Sequence, residues 1–482
     1  MKNQQRKNQR VMERNNQDYI STLPFSLLCN ILSSLKINEA VKTSVLSSNW
    51  RYIFTNPTNL IFDAENILVK DYSIPKNICH LSKVLMFNIK MKRASTFVSN
   101  VNKYLSNVKN VQKIDKLKVC FTFRNKGYGY NLDEWIQFAV ERNVEEIDLC
   151  LLEDNHLSAP IDGSFYVFPC DTFDFNSILR CLRLAYCVLA PQKSCYGFSK
   201  LATLELFKVD LKCEEHIRIL LSSCYNLESL SFSECYNIDY LKIEHAFCKK
   251  LKYLKVNLCR QLNGIMLKSN ILETLEYVGS KIAFLFDTPM LKSFFGRVNE
   301  FEAYHGKNWL VCKLSIDLPQ LENLFLECCC ISEVITNRFP TFQNLKHLEV
   351  IKVAIFRQDL SWIPVALNAC PTLTKLKLHL RTYFNIDEEL TYWPPRCLHN
   401  HLKEITITGI RGHTSEIAIA IYLLRNAISL EKMIVDPHPR IYLGNGKCVH
   451  SEVYENWSKI EKHKVEFLLK KEVGSLVKLL IL

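Results

Sequence analysis

The sequence predicts an α/β chain: a small all-helical unit at the N-terminus, followed by a long array of stacked strand-and-return repeats. Three observations carry that expectation. One apolar hexad recurs from about residue 111 to the C-terminal end. Its starts fall at a spacing of one strand plus one returning segment. Ahead of it, the stretch ISTLPFSLLCNILSSL over 20–35 reads as a helix that is apolar around far more of its circumference than a surface helix needs.

That helix comes first in the chain. At 100° per residue, Leu23, Phe25, Leu27, Leu28, Cys29, Ile31, Leu32 and Leu35 leave only Ser26, Asn30 and Ser33 to cluster on a polar side. The apolar arc is roughly twice the ~100° stripe of an ordinary surface helix. Such a helix either lies deep in a core or touches two different partners. Pro24 sits in the first turn, where a missing N–H is no loss. Asn38 is placed to cap a second helix running to about Leu46, and SSNWRYIF opens a third. Three short helices in under fifty residues form a unit too small to be comfortably stable alone.

The hexad is Leu-x-x-Leu-x-Leu with apolar substitutes. It reads LRCLRL at 179, LATLEL at 201, LESLSF at 227, LKYLKV at 251, LETLEY at 272, LENLFL at 321, LKHLEV at 345, LTKLKL at 373, LKEITI at 402 and LEKMIV at 430. Earlier copies are IDKLKV at 114 and VEEIDL at 144, and a degenerate one is LKSFFG at 291. From Leu179 successive starts are 19 to 30 residues apart, which brackets the period of leucine-rich repeats. The alternation within each hexad is that of a strand, and a segment such as EEHIRILLSSCYN at 214–226 reads as the returning helix. The third, fifth and seventh positions then face away from the core on the concave side of a solenoid. Of these, Phe207, Tyr253, Lys255, Phe325, Glu349 and Lys377 are the candidate binding residues, because exposed aromatic and charged side chains carry contact energy at interfaces.

Composition excludes several classes. The chain has 482 residues, 48% hydrophobic and 23% charged, and no apolar run reaches the ~18 residues of a membrane helix. The N-terminus MKNQQRKNQRVMERNNQ lacks the apolar core of a secretory signal and reads as a disordered basic tail over 1–17. Net charge is +12, too dilute outside the tail to mark a nucleic-acid surface. Twenty cysteines suggest disulfides or zinc, but no C-x-x-C occurs, and Cys397, His399 and His401 sit at one-residue spacers unlike a zinc site. Many follow the repeat instead. Cys187, Cys235, Cys259 and Cys329 lie eight residues after the first Leu of their repeats; Cys224, Cys248 and Cys370 lie three before it. They are expected to be reduced, buried thiols acting as small hydrophobes. Catalytic motifs are missing: GYG at 127–129 and GNGKC at 444–448 are incomplete phosphate or dinucleotide signatures, and neither G-x-S-x-G nor H-E-x-x-H occurs. No cofactor is expected.

The N-terminal segment resembles the F-box of plant F-box/leucine-rich-repeat proteins. Asp18, Ile20, Ser21, Leu23, Pro24, Leu27, Leu28, Ile31, Leu32, Ser33 and Leu35 match its first half, and Ala40, Val41, Thr43 to Ser47, Trp50 and Arg51 its second. It departs at Ser48, Asn49 and Phe54. The segment LKEITITGIRGHTSEIAIAIYLLRNAISLEKMIVDP at 402–437 resembles the FBD region that closes many of the same proteins. The resemblance implies a division into a tail (1–17), an F-box (18–60), a linker and first helical segment (61–110), a leucine-rich-repeat horseshoe (111–400) and an FBD-like cap (401–482). It further implies a non-catalytic substrate-receptor subunit of an SCF-type ubiquitin ligase in the cytoplasm or nucleus. Leu23, Pro24, Leu27, Leu28, Ile31, Leu32, Val45 and Trp50 would bind a Skp-type adaptor and, through it, a cullin scaffold. The repeats would recruit a protein substrate, and neither nucleic acid nor membrane is an expected partner. A repeat scaffold or ligand sensor outside ubiquitin transfer is the alternative.

Overall fold

The computed structural model describes residues 57–482 apart from 69–82, 124–125, 153–164, 194, 299–308, 329–338, 355–359, 361, 383–396, 445 and 452–456, together with scattered positions between 22 and 52. It divides into two units, 1–212 and 213–482. The tail, Val45, Ser48, Asn49, Phe54 and Cys329 lie outside the described residues.

In the first unit, strands Asn59–Asp63, Lys116–Cys120, Glu146–Cys150, Cys181–Ala185 and Thr203–Phe207 pair side by side in parallel. The ladder therefore starts at residue 59, well ahead of the position near 111 where the hexad becomes legible. The first strand has the same five-residue length as its neighbours, but Pro57 stands where the hexad has its first Leu. The 25-residue helix Lys83–Asn107 buries Ala94, Phe97, Val98, Val101 and Leu105, a stripe at three- and four-residue spacing. Helix Gly129–Val140 adds Leu132, Trp135, Ile136 and Ala139. Phe62, Phe97 and Trp135 meet at ring-centroid distances of 6.0 and 6.2 Å, and the Trp135 indole N–H donates to Asn102 Oδ1 at 2.7 Å. That bond lets a large amphipathic ring be fully buried.

In the second unit the main sheet has ten parallel strands among the described residues, Ser229–Ser233 through Lys478–Ile481. Equivalent hexad positions are direct partners throughout: Leu254 lies beside Leu230 and Leu275, and Leu348 beside Leu324 and Leu376. The first, fourth and sixth hexad residues are buried, as alternation requires. Repeat length decides the return path. The repeat starting at 201 returns by helix Glu214–Ser223, but those starting at 227, 251 and 272 return by strands Tyr240–Glu244, Gly264–Lys268 and Ala283–Asp287, which form a second parallel sheet. These three repeats span only 24, 21 and 19 residues. A helix advances ~1.5 Å per residue and a strand ~3.3 Å, so the shorter repeats close with extended chain. Longer repeats regain helices at Trp309–Asp317, Trp362–Asn368 and Thr414–Asn426.

The cysteine columns are core. Cys187, Cys224, Cys248 and Cys370 are 0 to 2% exposed, with Cys235 and Cys259 nearly as deep. The fifteen cysteines whose side chains are described are not in disulfides. Burial pushes Cys248 and Cys370 up to about 12, so they are inert. The residue before the inward cysteine column has a further regularity. Tyr186, Glu234 and Leu258, with Lys208 at the same repeat position, all have φ between 51 and 60°. The strands of these four repeats thus end in a left-handed residue that turns the chain, although none of the four is Gly or Asn.

Candidate functional site: a helical patch and a strand face

The first candidate surface belongs to the N-terminal helices. Leu28, Leu32 and Trp50 pack into one small core, with Leu23, Ile31 and Leu35 half-buried against it. Leu28, Leu32 and Trp50, expected to bind the adaptor, are therefore buried in the unit's own core, where their side chains hold the helices together. The apolar arc is split. Leu27 is 47% exposed and Pro24 is exposed, while Leu23 and Ile31 lie on the border between the two sides. The backbone N–H groups of Leu27 and Leu28 both bond the Pro24 carbonyl at 2.9 and 3.2 Å, which fixes Leu27 at the first turn.

The second candidate is the strand face of the 213–482 unit. Parallel pairing without slippage stacks the fifth hexad positions in a row: Lys255, Glu276, Phe295, Phe325, Glu349 and Lys377. The seventh positions Arg297, Glu327, Ile351, His379, Thr408 and Asp436 form the adjacent row. Neighbours a strand apart sit ~4.8 Å from one another, so opposite charges pair along the rows. Lys255 Nζ is 3.3 Å from Glu276, whose other oxygen accepts from the Tyr253 hydroxyl at 2.6 Å. Lys377 reaches Glu349 at 2.8 Å, and Arg297 and Arg381 lie 3.4 and 3.8 Å from Glu327.

This face is not open along its length. The hairpin formed by Arg440–Gly444 and Lys447–His450 lies on it. Tyr442 and Cys448 are cross-strand partners, so their side chains leave the hairpin on the same side. The Tyr442 ring lies 4.4 Å from Phe325 and stacks at 6.2 Å and 6° on Phe295. The Cys448 thiol donates to Glu349 Oε1 at 3.3 Å. Gly444, at φ +98°, lies so close that a Cβ there would be 2.5 Å from Lys255 Nζ. Phe325, expected as an exposed contact residue, is consequently only 3% exposed, and Glu276 1%. Beside the hairpin a cavity of about 350 Å³ remains, lined by Phe295, Asn323, His347, Glu349, Lys375 and Lys377.

Of the expected contact residues, Tyr253, Lys255, Glu349 and Lys377 are half-buried and engaged in the pairs above. Phe207, in the other unit, is half-buried against Tyr186 at 5.5 Å with the Lys208 ammonium 5.3 Å from its ring. Burial alone would raise the Glu349 carboxyl. The hydrogen bonds from His379 and Lys377 outweigh it and hold the group down to about 2. His399 is buried and bonds the Tyr422 hydroxyl at 3.2 Å, and burial depresses its ring to about 4. The hairpin residues Tyr442, Gly444 and Cys448 were not expected at the site. The Asn-Gly pair within RIYLGNGKCVH, flanked by alternating apolar residues, is a hairpin signal that could have placed them.

The comparisons with known proteins agree with this architecture. The family model described as "At1g61320/AtMIF1, LRR domain" matches residues 102–479, and the F-box domain model matches residues 20–62. The chain is 25% identical over 440 residues to the putative F-box/LRR-repeat protein At5g54820 of Arabidopsis thaliana, covering 85% of this chain and 88% of that protein. It is 25% identical over 444 residues to the F-box/FBD/LRR-repeat protein At5g56420 of the same plant, covering 88% and 92%. Over 219 residues, 45% of this chain and 44% of the other, it is 32% identical to the Arabidopsis F-box/FBD/LRR-repeat protein At1g13570. With parallel hexad strands across both units and the family models spanning nearly all of it, the chain belongs to the F-box/leucine-rich-repeat family.

Proposed function

We propose that this chain is the substrate-receptor subunit of an SCF-type ubiquitin ligase: its N-terminal helices bind a Skp-type adaptor, which joins it to a cullin, and its repeat units recruit a protein substrate. The observation that carries the reading is the split apolar arc. Leu28, Leu32 and Trp50 satisfy the internal core, yet Leu27 and Pro24 remain exposed on the same short helix. A unit this small gains from having that second side covered by a partner. The receptor does no chemistry; it raises the concentration of substrate near the ligase.

Substrate docks on the strand side of the 213–482 unit, where the surface combines the exposed side of the hairpin, including Leu443 at 65% and Val449 at 41%, with the paired charges beside it. The F-box is taken as the matched segment 20–62, parallel strands run from Asn59 to Phe207 in the first unit and from Ser229 to Ile481 in the second, and the FBD-like segment supplies the last strands of the second unit.

Calorimetric titration of the full chain with a Skp-type adaptor tests the proposal. One adaptor should bind per chain, and Leu27→Ala should weaken binding about 30-fold, the effect of losing a ~2 kcal/mol contact. Failure of the unsubstituted chain to bind an adaptor would favour a scaffold role outside ubiquitin transfer.

A further inference from the structure

Three donor atoms of different chemistry converge where the hairpin meets the strand face. His379 Nε2 lies 3.0 Å from Glu349 Oε1, and Cys448 Sγ lies 3.3 Å from the same oxygen. All three donors fall within 4.8 Å of one another. Glu349 and His379 come from adjacent strands, one hexad row apart, and Cys448 comes from a segment about seventy residues later than His379. We propose that Glu349, His379 and Cys448 form a binding site for a divalent transition-metal ion of the zinc type, which fastens the hairpin to the strand face.

The chemistry fits this class of ion. A carboxylate, an imidazole and a thiol together make a borderline-soft set that suits zinc and not magnesium or calcium. A tetrahedral ion with bonds of ~2.0–2.3 Å holds its donors roughly 3.3–3.7 Å apart; the Glu349–His379 and Glu349–Cys448 separations of 3.0 and 3.3 Å lie close to that range, and His379 and Cys448 are within 4.8 Å of each other. The supporting shell is in place. His379 Nδ1 is 2.8 Å from the hydroxyl of Thr408, a residue with no exposed surface, which turns Nε2 toward Glu349. Lys377 holds the other carboxylate oxygen at 2.8 Å, leaving Oε1 for the ion. On binding, the S–H bond breaks, the proton passes to solvent and the sulfur becomes a thiolate ligand; carboxylate and thiolate together neutralise the ion. The site is independent of whether the chain serves a ubiquitin ligase.

Cobalt(II), added to the full chain after chelator treatment, is the probe. The unsubstituted protein should bind it with a thiolate-to-cobalt charge-transfer band that zinc abolishes by displacement. Cys448→Ser should remove the band while the circular dichroism of the fold is kept. Glu349→Gln is the second variant, expected to weaken cobalt binding at least tenfold should the serine chain fail to fold. Thr408→Val should lower affinity about 10- to 100-fold through loss of ring orientation. The nearby group Asp436, His438 and His450 contains no sulfur, so cobalt held there produces no such band. Hydrogen exchange of the 440–450 amides should slow on adding zinc to the unsubstituted chain and not to Cys448→Ser. Absence of the band from the unsubstituted protein, its persistence in Cys448→Ser, or exchange indifferent to zinc would each overturn the assignment.

Discussion

Replacing Gly444 by Ala tests whether the hairpin is seated on the strand face. At φ +98° the backbone is in a region that disfavours an L side chain by roughly 1–2 kcal/mol. The added Cβ would also sit 2.5 Å from Lys255 Nζ and 3.2 Å from Glu276 Oε1, and the Glu276 side chain is 2% exposed. Lys255 has a flexible stem and can withdraw, but it then abandons a carboxylate that has little access to water. The two effects together predict a loss of about 2–3 kcal/mol from hairpin seating. Hydrogen exchange at 440–450 reads this as local opening, since 1–2 kcal/mol alone is a factor of ~5–30 in the open population. Gly446→Ala is the matched control. Its φ is +67°, so it carries backbone strain, but its Cβ would meet only Phe295 at an ordinary 3.5 Å. Exchange should accelerate clearly more in Gly444→Ala than in Gly446→Ala, with the rest of the repeat protected in both. Equal rates in the two variants would refute the close approach to Lys255.

Other perturbations probe different parts of the chain. Cys187→Ser should destabilise the first unit by about 1–3 kcal/mol in urea melts, because the hydroxyl enters a site with no exposure. Glu234→Gly should be neutral or stabilise by up to ~1 kcal/mol, since relief at φ 51° offsets the entropy of glycine; a clear loss of stability would contradict the left-handed strand end. Burial pushes the Glu416 carboxyl up to about 7, despite three backbone N–H groups from Arg411, Gly412 and His413 donating to it at 2.8 to 3.2 Å. A folded-state value above the unfolded one means that the native chain holds the extra proton. Its stabilisation is therefore complete below about 4.5 and is lost as pH rises through about 7, by up to ~3 kcal/mol. Denaturant midpoints measured across that window should fall with pH, and Glu416→Gln should flatten the slope.

The legible part of the molecule was the part governed by short-range periodicity. Alternation within each hexad identified Leu204, Leu230, Leu254 and Leu348 as core, and the spacing from one first Leu to the next placed Cys187, Cys235 and Cys259 in an inward column. These assignments hold because strand alternation and parallel stacking repeat the same environment at the same offset. The return paths were only half legible. Repeat length limited them, but the exchange of helix for strand between Tyr240 and Asp287 depended on what each short repeat could span. In the helical unit, periodicity showed an apolar arc too wide for one contact, but only packing assigned Leu28, Leu32 and Trp50 to the inside and Leu27 to the surface.

Within the 213–482 unit, the sequence by itself determined which side chains point away from the core. Phe325, Glu349 and Lys377 do lie on that face, in the rows the hexads imply. Only the tertiary structure decided whether they meet solvent. Tyr442 covers Phe325, and Cys448 reaches Glu349 from ninety-nine residues along the chain, a separation no local pattern encodes. Exposure is a property of everything that packs on a residue. Periodicity describes the strand that carries it and is silent about a distant hairpin laid across it.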